Sequence, residues 1–123
     1  MPAAESLRDR RARAACLAVS QWSGDRATLQ DHVKGLPVLV RRLGLAQAVA
    51  LLAARSETRP LAQDLSRWLA EAWPGQSVGR VGEVGVFLRE FTALPSARAR
   101  ALEDEGLRYA EALKLFSGGL HGT

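Results

Sequence analysis

A chain of 123 residues, 47% hydrophobic and 24% charged, can bury a core of its own and is too apolar for a disordered segment. The expectation is one helical domain over residues 1–123. A single cysteine, Cys16, excludes an internal disulfide and fits a reducing compartment. The formal net charge of +4 is uneven: residues 1–55 hold nine Lys and Arg against four Asp and Glu, while the remainder balances to within one charge.

The first apolar run, AACLAVS at residues 14–20, is short for a signal-peptide core and follows Glu5 and Asp9. Arg13 stands where a lipoprotein signal needs an aliphatic residue, which argues against secretion and against lipidation at Cys16. The longest uncharged run, Leu43 to Ala54, falls short of the roughly 18 apolar residues a membrane span requires. A soluble cytoplasmic protein with no membrane partner is expected. The basic first half is where an anionic partner would bind. Fifteen arginines against two lysines, with abundant alanine, also match the usage of a GC-rich genome, so the arginine count alone does not identify nucleic acid.

Helical periodicity recurs along the chain and no β-branched alternating run reaches strand length, so the fold class is all-α, a single compact bundle of about five to six helices. The first helix spans about Glu5 to Trp22. It gathers Leu7, Ala14, Ala15, Ala18, Val19 and Trp22 on one side, with Arg11 in the middle of that side and room around it for something to approach. A break at Ser23-Gly24-Asp25 follows, with Asp25 as a candidate N-cap for a helix carrying Leu29, Val33 and Leu36. The sequence leaves open whether Pro37 kinks this helix or opens another.

Leu36, Leu39, Val40 and Leu43 share a face. Continuing that helix through Gly44 would bring Gln47 onto it, which places a break at the glycine. The next run, LAQAVALLAA, is apolar on nearly every side, the pattern of an enclosed helix at the centre of the core. Ser56 to Pro60 combines capping side chains with a proline suited to a first turn. The helix it starts buries Leu61, Leu65, Trp68, Leu69, Ala72 and Trp73, turns Gln63, Asp64, Arg67 and Glu71 to water, and ends at Pro74-Gly75. Residues 75–85 hold four glycines and read as a mobile loop. A short helix, Val86 to Leu94, stops at Pro95. Ser96 caps a last helix that buries Leu102, Tyr109, Leu113 and Phe116 and ends at Gly118-Gly119, leaving 118–123 as a flexible tail. Leu107 and Leu115 lie opposite its buried face and are the candidate subunit interface.

No catalytic, metal or cofactor site is expected. His32 and His121 have no companion at metal-ligand spacing. Glu103, Asp104 and Glu105 follow one another at 100° per residue and cannot converge on one substrate atom, so they read as a solvated helix start. Gly79, Gly82 and Gly85 match neither GxGxxG nor GxxxxGK[ST], and no strand precedes them. Trp22 is the only aromatic among the first 86 residues outside the Ser56–Trp73 helix, which does not indicate base stacking of the OB or RRM kind. The basic residues remain. Arg8 with Arg11, and Arg10 with Arg13, are three apart and form neighbouring pairs that could track phosphates or simply be solvated. Arg41 and Arg42 precede Gly44 as cations in a last turn, a sufficient stop signal without any ligand.

In order, these segments resemble the small all-helical subunit of the type III-B CRISPR effector, the Cmr RNA-targeting complex. GLAQAVALLAAR (Gly44 to Arg55) is similar to that family's GLxQTLAFLLAK-like segment. The pair Trp68-Leu69 follows in the next helix, and EGLRYAEALKLFS (Glu105 to Ser117) resembles the family's EALxYLEWLKRFA. The chain departs at Leu43, where a polar residue is common, at Ala48 for threonine, at Leu51 for phenylalanine and at Ala112 for tryptophan. Arg98 and Arg100 lie where the family often has a tyrosine.

The resemblance implies a non-catalytic subunit that stacks in copies along guide RNA and target RNA, beside the backbone and large subunits of the effector, in antiviral defence. Phosphate contacts would then come from Arg8, Arg10, Arg11, Arg13, Lys34, Arg41, Arg42 and Arg55. A helical protein-protein adaptor without nucleic-acid binding is the alternative. A helix-turn-helix regulator fits less well, since no helix shows a polar base-reading face behind a three-residue turn.

Overall fold

The computed structural model describes residues 5–22, 26–72 and 84–121, which form seven helices and no strand. Ser6 caps α1 (Leu7–Ser20) by accepting the Asp9 backbone N–H at 3.1 Å, and Asp9 puts negative charge in the first turn. The inward side of α1 is the expected one, with Ala15, Ala18, Val19 and Trp22 buried. The proposed Asp25 cap lies outside the described residues.

Pro37 opens a helix rather than kinking one. The chain passes from α2 (Arg26–Lys34) through Gly35 into α3 (Leu36–Leu43), where the proline sits in the first turn and its missing N–H costs nothing. This break, added to the expected one at Gly44, gives seven helices instead of five or six. Gly44 has φ +80° and ψ 161°, a conformation essentially closed to other residues, and it serves both as the end of α3 and as the N-cap of α4 (Leu45–Ala53).

The structure corrects the reading of α4 as enclosed on all sides. Leu45, Ala48, Val49 and Leu52 are buried, but Gln47, Ala50 and Leu51 face solvent. Thr58 does not serve α5 (Arg59–Ala72) as a side-chain cap. Its hydroxyl donates back to the Leu52 carbonyl at 2.7 Å and satisfies the end of α4. The buried face of α5 holds Leu61, Leu65, Trp68 and Leu69 as expected, and also Asp64, which sequence spacing had turned to water. Trp73, Pro74-Gly75 and the glycine-rich loop up to residue 83 lie outside the described residues. Residues 84 and 85 already belong to α6 (Val84–Thr92), whose Phe87 and Phe91 stack at 5.6 Å.

The long α7 (Ser96–His121) is the spine of the bundle, with α1, α2, α3 and α5 packed against it, while α4 lies against α5, α3 and α6. Leu102, Tyr109 and Leu113 are buried along it. A Cβ on Gly106 would come within 2.7 Å of Leu45 Cδ1, so the absence of a side chain is what lets Leu45 seat against the spine. Gly118 and Gly119 do not end α7. The helix continues to His121, whose ring stacks on Trp22 at 6.3 Å with Nε2 3.1 Å from the Val19 carbonyl. Those contacts to α1 offset the glycine penalty of about 1 kcal/mol per residue.

Candidate nucleic-acid interface

The eight basic residues singled out by sequence do not form one surface. Arg11 is withdrawn from it altogether. On the inward side of α1 its side chain is only 12% exposed, and its guanidinium grips Glu105 of α7 through Nε and through Nη2, the latter at 2.6 Å. Trp68 Nε1 donates to the same carboxylate at 2.9 Å. The group that approaches among the alanines of α1 is therefore Glu105, which is buried. The reading of residues 103–105 as uniformly solvated is overturned for that member. The hydrogen bonds that Arg11 donates to Glu105 raise the Arg11 pKa above its already high value, outweighing the opposing effect of burial.

Arg10 is half-buried, with its guanidinium 5.9 Å from the Trp68 ring centre and Nη2 donating to the Glu71 carbonyl at 3.3 Å. The remaining six reach solvent. Arg8 is 84% exposed and 3.6 Å from Asp9; Arg13 pairs with Glu5; Lys34 lies 3.9 Å from Asp31; Arg55 lies 3.7 Å from Glu57. In the last turn of α3, Arg41 is 3.6 Å from Glu111 of α7, whereas Arg42 is exposed and has no ion pair among the described residues. Surface pairs of this kind are worth about 0–1 kcal/mol, so a phosphate can displace the carboxylate at little cost.

A groove of about 470 Å³ runs between α1 and α5, lined by Arg10, Arg13 and Leu17 of α1, Asp64 and Trp68 of α5, and Tyr109 of α7. Asp64 accepts the Trp22 indole N–H at 3.1 Å and has Arg67 at 3.6 Å, and burial pushes its carboxyl up to about 6. Burial also pushes the Tyr109 phenol above its ordinary value. Sequence reasoning missed this groove because its polar members come from three helices, and the inward place of Asp64 depends on Trp22, 42 residues away.

The two candidate interface leucines separate. Leu115 is 75% exposed, while Leu107 is half-buried and packs against the core, facing a second groove that Val40 and Arg41 also line. Among the described residues no group of three or more His, Cys, Asp or Glu side chains is placed to hold a metal ion, and no helix is long and apolar enough to cross a membrane.

The sequence profile of the family described as CRISPR-associated protein (Cas_Cmr5) matches residues 7–120. The chain belongs to the Cmr5 family. It is thereby a small subunit of the multi-subunit Cmr complex, the type III-B CRISPR effector. A crystal structure of a CRISPR-associated Cmr5 family protein from Thermus thermophilus shares the fold, with a TM-score of 0.76 over 95% of this chain and 98% of that one at 24% identity. No curated protein matches. In Cmr5 terms, the Gly44 helix break and the α5 and α7 segments that carried the resemblance all fall within the matched residues.

Proposed function

We propose that this Cmr5 chain is a non-catalytic scaffold of the ribonucleoprotein, holding guide RNA and target RNA by their phosphates while copies of it stack beside the backbone and large subunits. The observation that carries this reading is the solvent exposure of Arg8, Arg13, Lys34, Arg41, Arg42 and Arg55, each free or held only by an exchangeable surface pair. Backbone contact suits RNA whose sequence is read by base pairing. Arg10 and Arg11 are left out, since the Arg10 guanidinium is tethered over Trp68 and that of Arg11 is buried against Glu105. Leu115 supports a protein contact at α7, between copies or with another subunit.

The test is single-stranded RNA affinity as a function of salt. Each lost phosphate contact lowers the log–log slope by about 0.7. Arg42→Ala lowers it more than Arg41→Ala, because Arg41 must first leave Glu111. An unchanged slope for both variants removes α3 from the RNA path. Negligible RNA affinity at near-physiological salt, with a protein partner lost on Leu115→Glu, establishes the adaptor reading instead.

A further inference from the structure

The groove between α1 and α5 has features that phosphate binding does not use. Its volume, about 470 Å³, lies within the roughly 300–1,000 Å³ typical of small-molecule sites. Its formal charges cancel, with Arg10, Arg13 and Arg67 set against Glu5, Asp64 and Glu71, so it offers no net attraction to a free anion and suits a neutral ligand.

Two polar groups in its wall lack full satisfaction. Tyr109 is only 2% exposed, and among the described residues its hydroxyl has no hydrogen-bond partner. Asp64 Oδ2 is occupied by Trp22, and among the described residues Oδ1 has only the Arg67 ion pair at 3.6 Å, beyond hydrogen-bonding range. Buried groups of this kind normally have partners, so a hydroxyl and a carboxylate oxygen left open on one groove point to a ligand carrying both a donor and an acceptor. Arg10 adds a third feature. Its guanidinium, laid over Trp68 and tethered to the Glu71 carbonyl, is a planar cation held in place, which is a stacking platform for a flat heterocycle.

We propose that this groove receives one amino-bearing nucleobase, adenine or cytosine, stacked on Arg10 with its Watson–Crick edge hydrogen-bonded to Asp64 and Tyr109. The exocyclic amine donates to Asp64 Oδ1 and the adjacent ring nitrogen accepts from the Tyr109 hydroxyl. The base comes either from an unstacked residue of bound RNA, in which case the site rests on the RNA reading above, or from a free nucleoside.

Two variants probe the groove without removing a charge. Tyr109→Phe deletes only the hydroxyl, and Ala14→Phe fills the groove from α1, where Ala14 is half-buried. In the first arm, adenosine is titrated while backbone amide shifts are followed by NMR. Shifts cluster at groove residues of α1 and α5, Tyr109→Phe weakens binding about 2- to 10-fold, the value of one hydrogen bond, and Ala14→Phe abolishes it. In the second arm, both variants lower affinity for an adenine-rich single-stranded RNA while the salt slope stays constant, because no phosphate contact is lost. Dependence on the two variants in the RNA arm assigns the base to RNA, and dependence in the adenosine arm alone assigns it to a free nucleoside. The proposal is overturned when neither response depends on Tyr109 and Ala14. Failure of the RNA reading is seen separately, as absence of RNA binding by the unaltered protein.

Discussion

Replacing Arg11 by Met tests whether the ion pair at the centre of the bundle is sealed from water. The substitution keeps an aliphatic stem of similar length and removes the charge. Glu105, whose side chain is 4% exposed, then keeps one of its three donors, the Trp68 indole at 2.9 Å. Leaving a buried carboxylate without its cation costs about 3–5 kcal/mol. That is a large share of the roughly 5–15 kcal/mol that stabilises a typical domain. For a chain of this length it corresponds to a fall in Tm of roughly 10–20 °C.

Glu105→Gln keeps an acceptor for Trp68 but loses the charge and one of the two oxygens that Arg11 grips, at about 1.5–3 kcal/mol. The double variant costs less than the sum of the two, because an uncharged Gln at position 105 no longer needs a cation. A double-mutant cycle by urea unfolding, followed by far-ultraviolet circular dichroism, measures that coupling. A cost below about 1 kcal/mol for Arg11→Met, the value of a surface pair, refutes the reasoning and returns Arg11 to the candidate phosphate contacts. Below the transition temperature the same variant leaves the salt slope of RNA binding unchanged.

Asp64 makes stability depend on pH. Its folded pKa, about 6, lies above the ordinary 3.8, so its favourable contribution is complete below pH 4 and is lost as pH rises through 6, by up to about 3 kcal/mol. Asp64→Asn removes this dependence, so the variant gains on the unaltered protein as pH rises from 5 to 8 in thermal unfolding; parallel curves contradict the assignment. Gly44→Ala costs about 1–3 kcal/mol in denaturant unfolding, because φ is +80° there, while the added Cβ would meet only Glu103 Oε1, at an ordinary 3.4 Å. Gly106→Ala costs about 1–3 kcal/mol for a different reason, overpacking against the fully buried Leu45. An unchanged unfolding midpoint would show that Leu45 can move aside.

The helical class, the break at Gly44 and the basic last turn of α3 were legible because they rest on neighbours a few residues apart. Spacing at 100° per residue selects a buried face, glycine permits the positive φ, and cations suit a C-terminus. The same spacing put Arg11 on the inward side of α1 but could not name its partner, which lies 94 residues away on α7. Nor could it separate Leu107, half-buried beside α3, from Leu115, which is open.

The remaining differences have one physical origin. Local rules predict that two glycines end α7 and that Asp64 faces water, yet His121 is held by Val19 and Trp22, and Asp64 by Trp22. A propensity of about 1 kcal/mol yields where a distant helix supplies a ring or a hydrogen bond, and that supply exists only after the helices have packed. Periodicity and local charge therefore set the helices, most of their buried faces and the basic first half. Which arginines stay in water and which hold the bundle together is settled only when the helices pack, because that depends on which carboxylates the fold brings within reach.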